Sequence, residues 1–103
     1  MVTPELITRA RGGGAVCALT FDDGPNGETT QRLLDFLAGR GIRAVFCVIG
    51  RNVREPGGAE LLCRMVAEGH LLGNHSTSHA DMGSWSRAAI EADLRENQRI
   101  IRS

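Results

Sequence analysis

Apolar residues along this chain come in two textures: short unbroken runs, and stretches where they recur every three or four positions. Ala15-Val16-Cys17-Ala18-Leu19-Thr20-Phe21 is of the first kind, with glycines before it and Asp-Asp-Gly-Pro after it. It reads as a buried strand. From about Thr29 to Arg40, Leu33, Leu34 and Leu37 fall on one helical face, and Gly41 supplies the stop. Ala44-Val45-Phe46-Cys47-Val48-Ile49 is a second strand-like run, ended by Gly50 and followed by a loop holding Pro56, Gly57 and Gly58. Leu61, Leu62, Met65 and Val66 form a second amphipathic stripe, stopped at Gly69. His70-Leu71-Leu72-Gly73 is a shorter third strand, and Asn74 to Gly83 is a polar loop. Ser86 is placed to cap a third helix, in which Ile90, Leu94 and Ile101 share a face.

A strand followed by a helix, repeated three times, predicts parallel strands joined by right-handed crossovers. The fold class is therefore α/β, built of three successive βα units. In such sheets and barrels, function collects at the carboxyl ends of the strands. Asp22 and Asp23 follow the first strand, and His75 and His79 follow the third.

Composition narrows the reading. With 103 residues, 42% of them hydrophobic, the chain is globular and sized for one small core. Its 12 basic and 12 acidic residues are dispersed, so nothing in the charge pattern calls for nucleic acid or a membrane surface. No apolar run reaches the length of a membrane span. The first ten residues lack the apolar centre of a signal peptide. That predicts a cytoplasmic product, or a secreted one if a further segment lies upstream. Cys17, Cys47 and Cys63 form no CxxC pair. They read as free, buried thiols suited to a reducing compartment.

Two carboxylates at one strand end repel each other unless a cation or a proton intervenes. Asp, Gly and Pro are also ordinary turn residues, so Asp22-Asp23-Gly24-Pro25 alone leaves a plain turn open. The same holds for His75-Ser76-Thr77-Ser78-His79, which a polar loop could carry for no chemical reason. In a helical turn, however, this spacing brings both imidazoles to one side, where they can share a metal. Two histidines and one carboxylate make a familiar triad with positions open to water and substrate. A second carboxylate beside it could take a proton from that water.

Thr20-Phe21-Asp22-Asp23-Gly24-Pro25 and His75-Ser76-Thr77-Ser78-His79 resemble the first two motifs of the polysaccharide deacetylase family, the fourth carbohydrate esterase family. Ala44 to Gly50 is similar to that family's "ATFFVIG" strand, and Glu68 to His75 to its "EGHEIGNH" run. The resemblance implies that Asp22 is the general base and that Asp23, His75 and His79 bind a divalent metal, most often zinc. It implies hydrolysis of the acetamide on N-acetylated sugars or polysaccharides, giving acetate and a free amine. It also implies a distorted (β/α) barrel, of which three βα units would be a part, since such barrels take about 200 residues or more.

Residues 1–14 are then expected to be a lead-in, and 15–103 part of a catalytic domain. The family's base-orienting arginine and its late general-acid histidine have no counterpart here. The last apolar stripe also runs into Ser103 without a Gly or Pro stop. The expectation is an N-terminal portion that turns over little by itself. His70 precedes the third strand, at the end opposite His75, and so is rejected as the acid. Trp85 could offer a sugar a stacking surface or pack at the helix start. Two other functions fit the same residues: hydrolysis of a small non-sugar amide, and metal binding without catalysis. An uncovered sheet face would favour a homodimer or a complementary half-domain, with Leu19, Phe46, Val48 and Leu72 as the expected apolar contributors.

Overall fold

The computed structural model describes residues 5–9 and 11–103; residues 1–4 and 10 of the expected lead-in lie outside them. The elements are β1 (Thr20–Asp22), α1 (Gly27–Gly39), β2 (Val45–Val48), α2 (Gly50–Val53), α3 (Gly58–Ala67), β3 (Leu71–Asn74) and α4 (Arg87–Arg102). The three strands form one parallel sheet in the order β1-β2-β3. Thr20, Val45 and Leu71 lie in register, as do Asp22, Cys47 and Gly73.

β1 is much shorter than the apolar run that predicts it. Its ladder to β2 starts where the Val45 N–H donates to the Leu19 carbonyl. Ahead of that point no strand lies beside the chain among the described residues, and Val16 is 83% exposed. Apolar composition alone does not make a strand when no neighbour takes its hydrogen bonds. Cys17, in that unpaired stretch, is exposed, as is Cys63 on α3, and Cys47 is half-buried, so the expectation of buried thiols is corrected.

The helical stripes hold with adjustments. Leu34 and Leu37 of α1 are fully covered, with Leu33 packed at their margin. The turn after α1 is closed by two bonds, Gly41 N–H to the Ala38 carbonyl and Ile42 N–H to that of Leu37, with Gly41 at φ 64°. The same pair of bonds closes α3 at Gly69 (φ 87°). This reversed pairing satisfies the last carbonyls of a helix and needs a left-handed residue, which is why glycine stands at both stops. Leu61, Leu62 and Met65 are buried as expected, whereas Val66 is 60% exposed. The short helix α2 replaces the loop expected directly after Gly50; at four residues it is too short for any apolar period to reveal. Ser86 caps α4, its Oγ accepting the Ala89 N–H at 3.1 Å. In α4 the inward positions are Asn97 and Ile100, and Leu94 is 39% exposed.

All four helices contribute to one core with a single face of the sheet, through Leu34, Leu37, Val53, Leu62, Met65 and Ile100 against Phe21, Phe46, Val48 and Leu72. The expected exposed patch is therefore corrected. Phe46 and Val48 are 3% and 0% exposed, because strand alternation turns them to the helices. The open face carries Thr20, Asp22, Val45, Cys47 and Leu71 instead, the last 68% exposed. Among the described residues no helix is long and apolar enough to cross a membrane.

Candidate functional site

The two neighbouring aspartates part company at the end of β1. Asp22 ends the strand and lies on the open face, in register with Cys47. Asp23 leaves the strand with φ 75°, a left-handed turn that few non-glycine residues adopt. It is held on both sides: its N–H donates to the Cys47 carbonyl at 3.1 Å, and its own carbonyl accepts Asn52 Nδ2 at 2.7 Å. The next carbonyl, of Gly24, accepts the Ile49 N–H at 2.9 Å. The β1–α1 turn is thus stitched to the far end of β2.

The HxxxH segment is fixed with comparable detail. His75 N–H donates to the Val48 carbonyl, continuing the β2–β3 ladder beyond the strand. Ser76 and His79 then take left-handed φ values of 71° and 57°, each costing roughly 1–3 kcal/mol that surrounding bonds must offset. Asn74 Oδ1 accepts the Ser76 N–H at 3.0 Å, and Ser76 Oγ accepts the His79 N–H at 2.9 Å. The carbonyls of Ser76 and Thr77 accept from Gly50 and Arg51 N–H at 3.1 and 2.9 Å. Those donors open α2, where a helix leaves its first N–H groups without internal partners.

These backbones bring Asp23, His75 and His79 together, with one ligand atom from each within 4.8 Å of the others. Asp23 Oδ1 lies 3.1 Å from His75 Nε2 and 3.2 Å from His79 Nε2. Ligands at about 2.0–2.2 Å around a tetrahedral ion sit about 3.3–3.6 Å apart. The separations are close to that spacing and longer than the roughly 2.7–2.9 Å of a charged hydrogen bond. The donor set, two imidazoles and a carboxylate, suits a divalent ion with open positions. It sits at an open mouth: a cleft of about 520 Å³, lined among others by His75, His79, Asp81 and Met82, leads to it.

Asp22 is exposed, one residue from this cluster. Burial first, and then a hydrogen bond to the Asp22 carboxylate, push the Cys47 thiol up from its ordinary range. Cys47 therefore stays a neutral thiol beside Asp22. Gly73, on the other side, leaves it room, since a Cβ there would come 3.0 Å from Cys47 Sγ. His70 is 5% exposed and its Nδ1 accepts the Ala44 N–H at 3.0 Å, at the opposite end of the sheet from His75. Trp85 is half-buried just ahead of α4. The supporting residues Asn52, Asn74, Asp93 and Asn97 were not singled out by the sequence. For Asn52, Asp93 and Asn97 the one signal is a polar residue at a helix position that faces other elements, which apolar periodicity does not detect; Asn74 ends β3.

A family model described as polysaccharide deacetylase matches residues 9–103. The chain belongs to the polysaccharide deacetylase family. A chitooligosaccharide deacetylase of Rhizobium leguminosarum bv. trifolii is 41% identical over 83 residues, which are 81% of this chain and 38% of that protein. Another, of Sinorhizobium fredii, is 38% identical over 98 residues, covering 95% of this chain and 45% of that protein. Among solved structures, a family 4 acetyl xylan esterase from Clostridium thermocellum, in complex with a cobalt ion, matches with a TM-score of 0.77 at 39% identity. It covers 82% of this chain and 41% of its own. The chain spans less than half the length of these relatives. Its three parallel βα units form part of the distorted (β/α) barrel of the polysaccharide deacetylases.

Proposed function

We propose that this chain carries the metal and base half of a hydrolase that removes N-acetyl groups from N-acetylated sugars or polysaccharides. The observation that supports this most is one carboxylate oxygen of Asp23 meeting both histidine Nε2 atoms, 3.1 and 3.2 Å away. Asp23, His75 and His79 would hold a divalent ion, with zinc as the best match to two imidazoles and a carboxylate. Such an ion, when bound, supplies Lewis-acid polarisation of an amide carbonyl and a nucleophile at neutral pH.

Asp22 serves as the general base. Strand alternation sends it to the open face rather than into the ligand cluster, so its carboxylate is free to receive a proton. The remaining histidine, His70, is at the wrong end of β3 to protonate a leaving amine, so turnover by these 103 residues is expected to be slow.

The test is acetate release from chitin oligomers with zinc or cobalt supplied. Release that stops with a chelator and falls about 100-fold or more in Asp22→Asn is the expected result. Release from ester-linked acetyl groups but not from N-acetyl groups would overturn the amide assignment. Release indifferent to both chelator and Asp22→Asn would remove the site from the reaction. For partners, the open face, with Leu71 68% exposed, supports association with a second copy or a complementary half-domain. A stable monomer by light scattering at tens of micromolar would contradict that.

A further inference from the structure

Between the two histidines of the HxxxH segment lie Ser76, Thr77 and Ser78; Asn74 holds the Ser76 N–H, and α2 holds the Ser76 and Thr77 carbonyls, as described above. Three further groups turn to α4: the Thr77 N–H, the Thr77 hydroxyl and the Ser78 hydroxyl. All three end on one residue of α4. Asp93 Oδ2 accepts the Thr77 N–H at 2.8 Å, Asp93 Oδ1 accepts the Ser78 hydroxyl at 2.9 Å, and the Asp93 carbonyl accepts the Thr77 hydroxyl at 2.7 Å.

The helix that presents Asp93 is itself locked. One turn on, and so on the same face, Asn97 is 0% exposed. Its Nδ2 donates to the Val48 carbonyl at 3.0 Å and to Asn74 Oδ1 at 2.7 Å. Asn97 Oδ1 packs against Gly50, where a Cβ would come within 2.5 Å of it. Asn97 therefore ties α4 to the strand end that carries His75, and Asp93 carries that registration to the residues ahead of His79.

We propose that Asp93 is a positioning residue for the ligand pair, fixing Thr77 and Ser78 so that both imidazoles stay turned toward Asp23; this rests on the metal-binding reading above. The carboxylate suits the task because it offers two acceptor oxygens, and both are used. An asparagine in its place would keep the pattern, one oxygen accepting the Thr77 N–H and the amide donating to Ser78 Oγ, whose hydroxyl can accept as well as donate. An alanine would not.

The experiment measures zinc affinity by calorimetry on the full chain and on Asp93→Ala, Asp93→Asn and Glu96→Ala, with amide exchange at Thr77 followed by NMR in the absence of metal. Glu96, also on α4, pairs with Arg99 of that helix and with Arg54 just after α2, and bonds to no residue of the HxxxH segment, so it reports on helix anchoring alone. Asp93→Ala is expected to weaken zinc binding about 10–100-fold and to expose the Thr77 amide to exchange. Asp93→Asn and Glu96→Ala should leave both nearly as in the wild type. Wild-type affinity and a protected Thr77 amide in Asp93→Ala would overturn the proposal. So would equal losses of affinity in Asp93→Ala and Glu96→Ala that follow their melting temperatures. If the wild type binds no zinc, the metal reading fails instead; Thr77 exchange in Asp93→Ala then decides the clamp, lost protection supporting it and unchanged protection refuting it.

Discussion

Phe46 and Val48 of β2 lie under the helices at 3% and 0% exposure, while Leu71, on the other face one strand over, is 68% exposed. The two faces are made of alternate residues of the same strands, so a single step along the chain moves a side chain from core to open surface. The covered face holds the fold together through Phe21, Phe46, Val48 and Leu72 and carries none of the proposed chemistry. The open face is thinly packed, and it is where Asp22 stands beside Cys47. This alternation, followed by a left-handed turn at Asp23, lets adjacent aspartates take different parts. One turns into a ligand cluster, and the other stays on the sheet.

The comparison breaks most visibly on its covered side. Phe46→Ala is expected to destabilise the chain by about 3–5 kcal/mol, because its ring stacks on Phe21 and meets His70 edge-on within the core. Denaturant melts would check this, and a loss under 1 kcal/mol would mean that the face is less tightly packed than its burial implies. At the seam between core and site, Gly50→Ala should cost about 1–3 kcal/mol by forcing Asn97 and Ile100 aside. It should also disturb the HxxxH segment, which the Gly50 N–H holds through the Ser76 carbonyl. On the open side, Leu71→Ser should change stability by no more than about 0.5 kcal/mol in a monomer. A larger loss that grows with protein concentration would show that this face is buried against a second copy.

The parallel βα order and the clustering of Asp23, His75 and His79 were legible in the sequence because each leaves a local mark. Apolar runs between glycine stops give the strands and helices, and the two motifs stand directly at strand ends. Boundaries were less legible where a partner decides them. The run from Ala15 reads as a strand throughout, yet only Thr20–Asp22 has β2 beside it. Phe46 and Val48 were expected on the exposed face, since the run Ala44 to Ile49 is apolar on both sides and does not say which side the helices take. In α4 the stripe of Ile90, Leu94 and Ile101 pointed near the right face but hid the residues that matter. Asn97 and Asp93 are polar, and their inward placement depends on hydrogen bonds to Val48, Asn74, Thr77 and Ser78, far away in sequence. Helix α2 escaped notice for a similar reason. Its role is to offer the N–H groups of Gly50 and Arg51 to a segment about 25 residues on.

The division of labour between Asp22 and Asp23 is the central claim, and zinc titration by calorimetry tests it most directly. Wild type and Asp22→Asn should both bind zinc with similar affinity, while Asp23→Ala and His79→Ala should each lose measurable binding without unfolding. Equal loss in Asp22→Asn and Asp23→Ala, or undiminished binding in His79→Ala, would contradict the account.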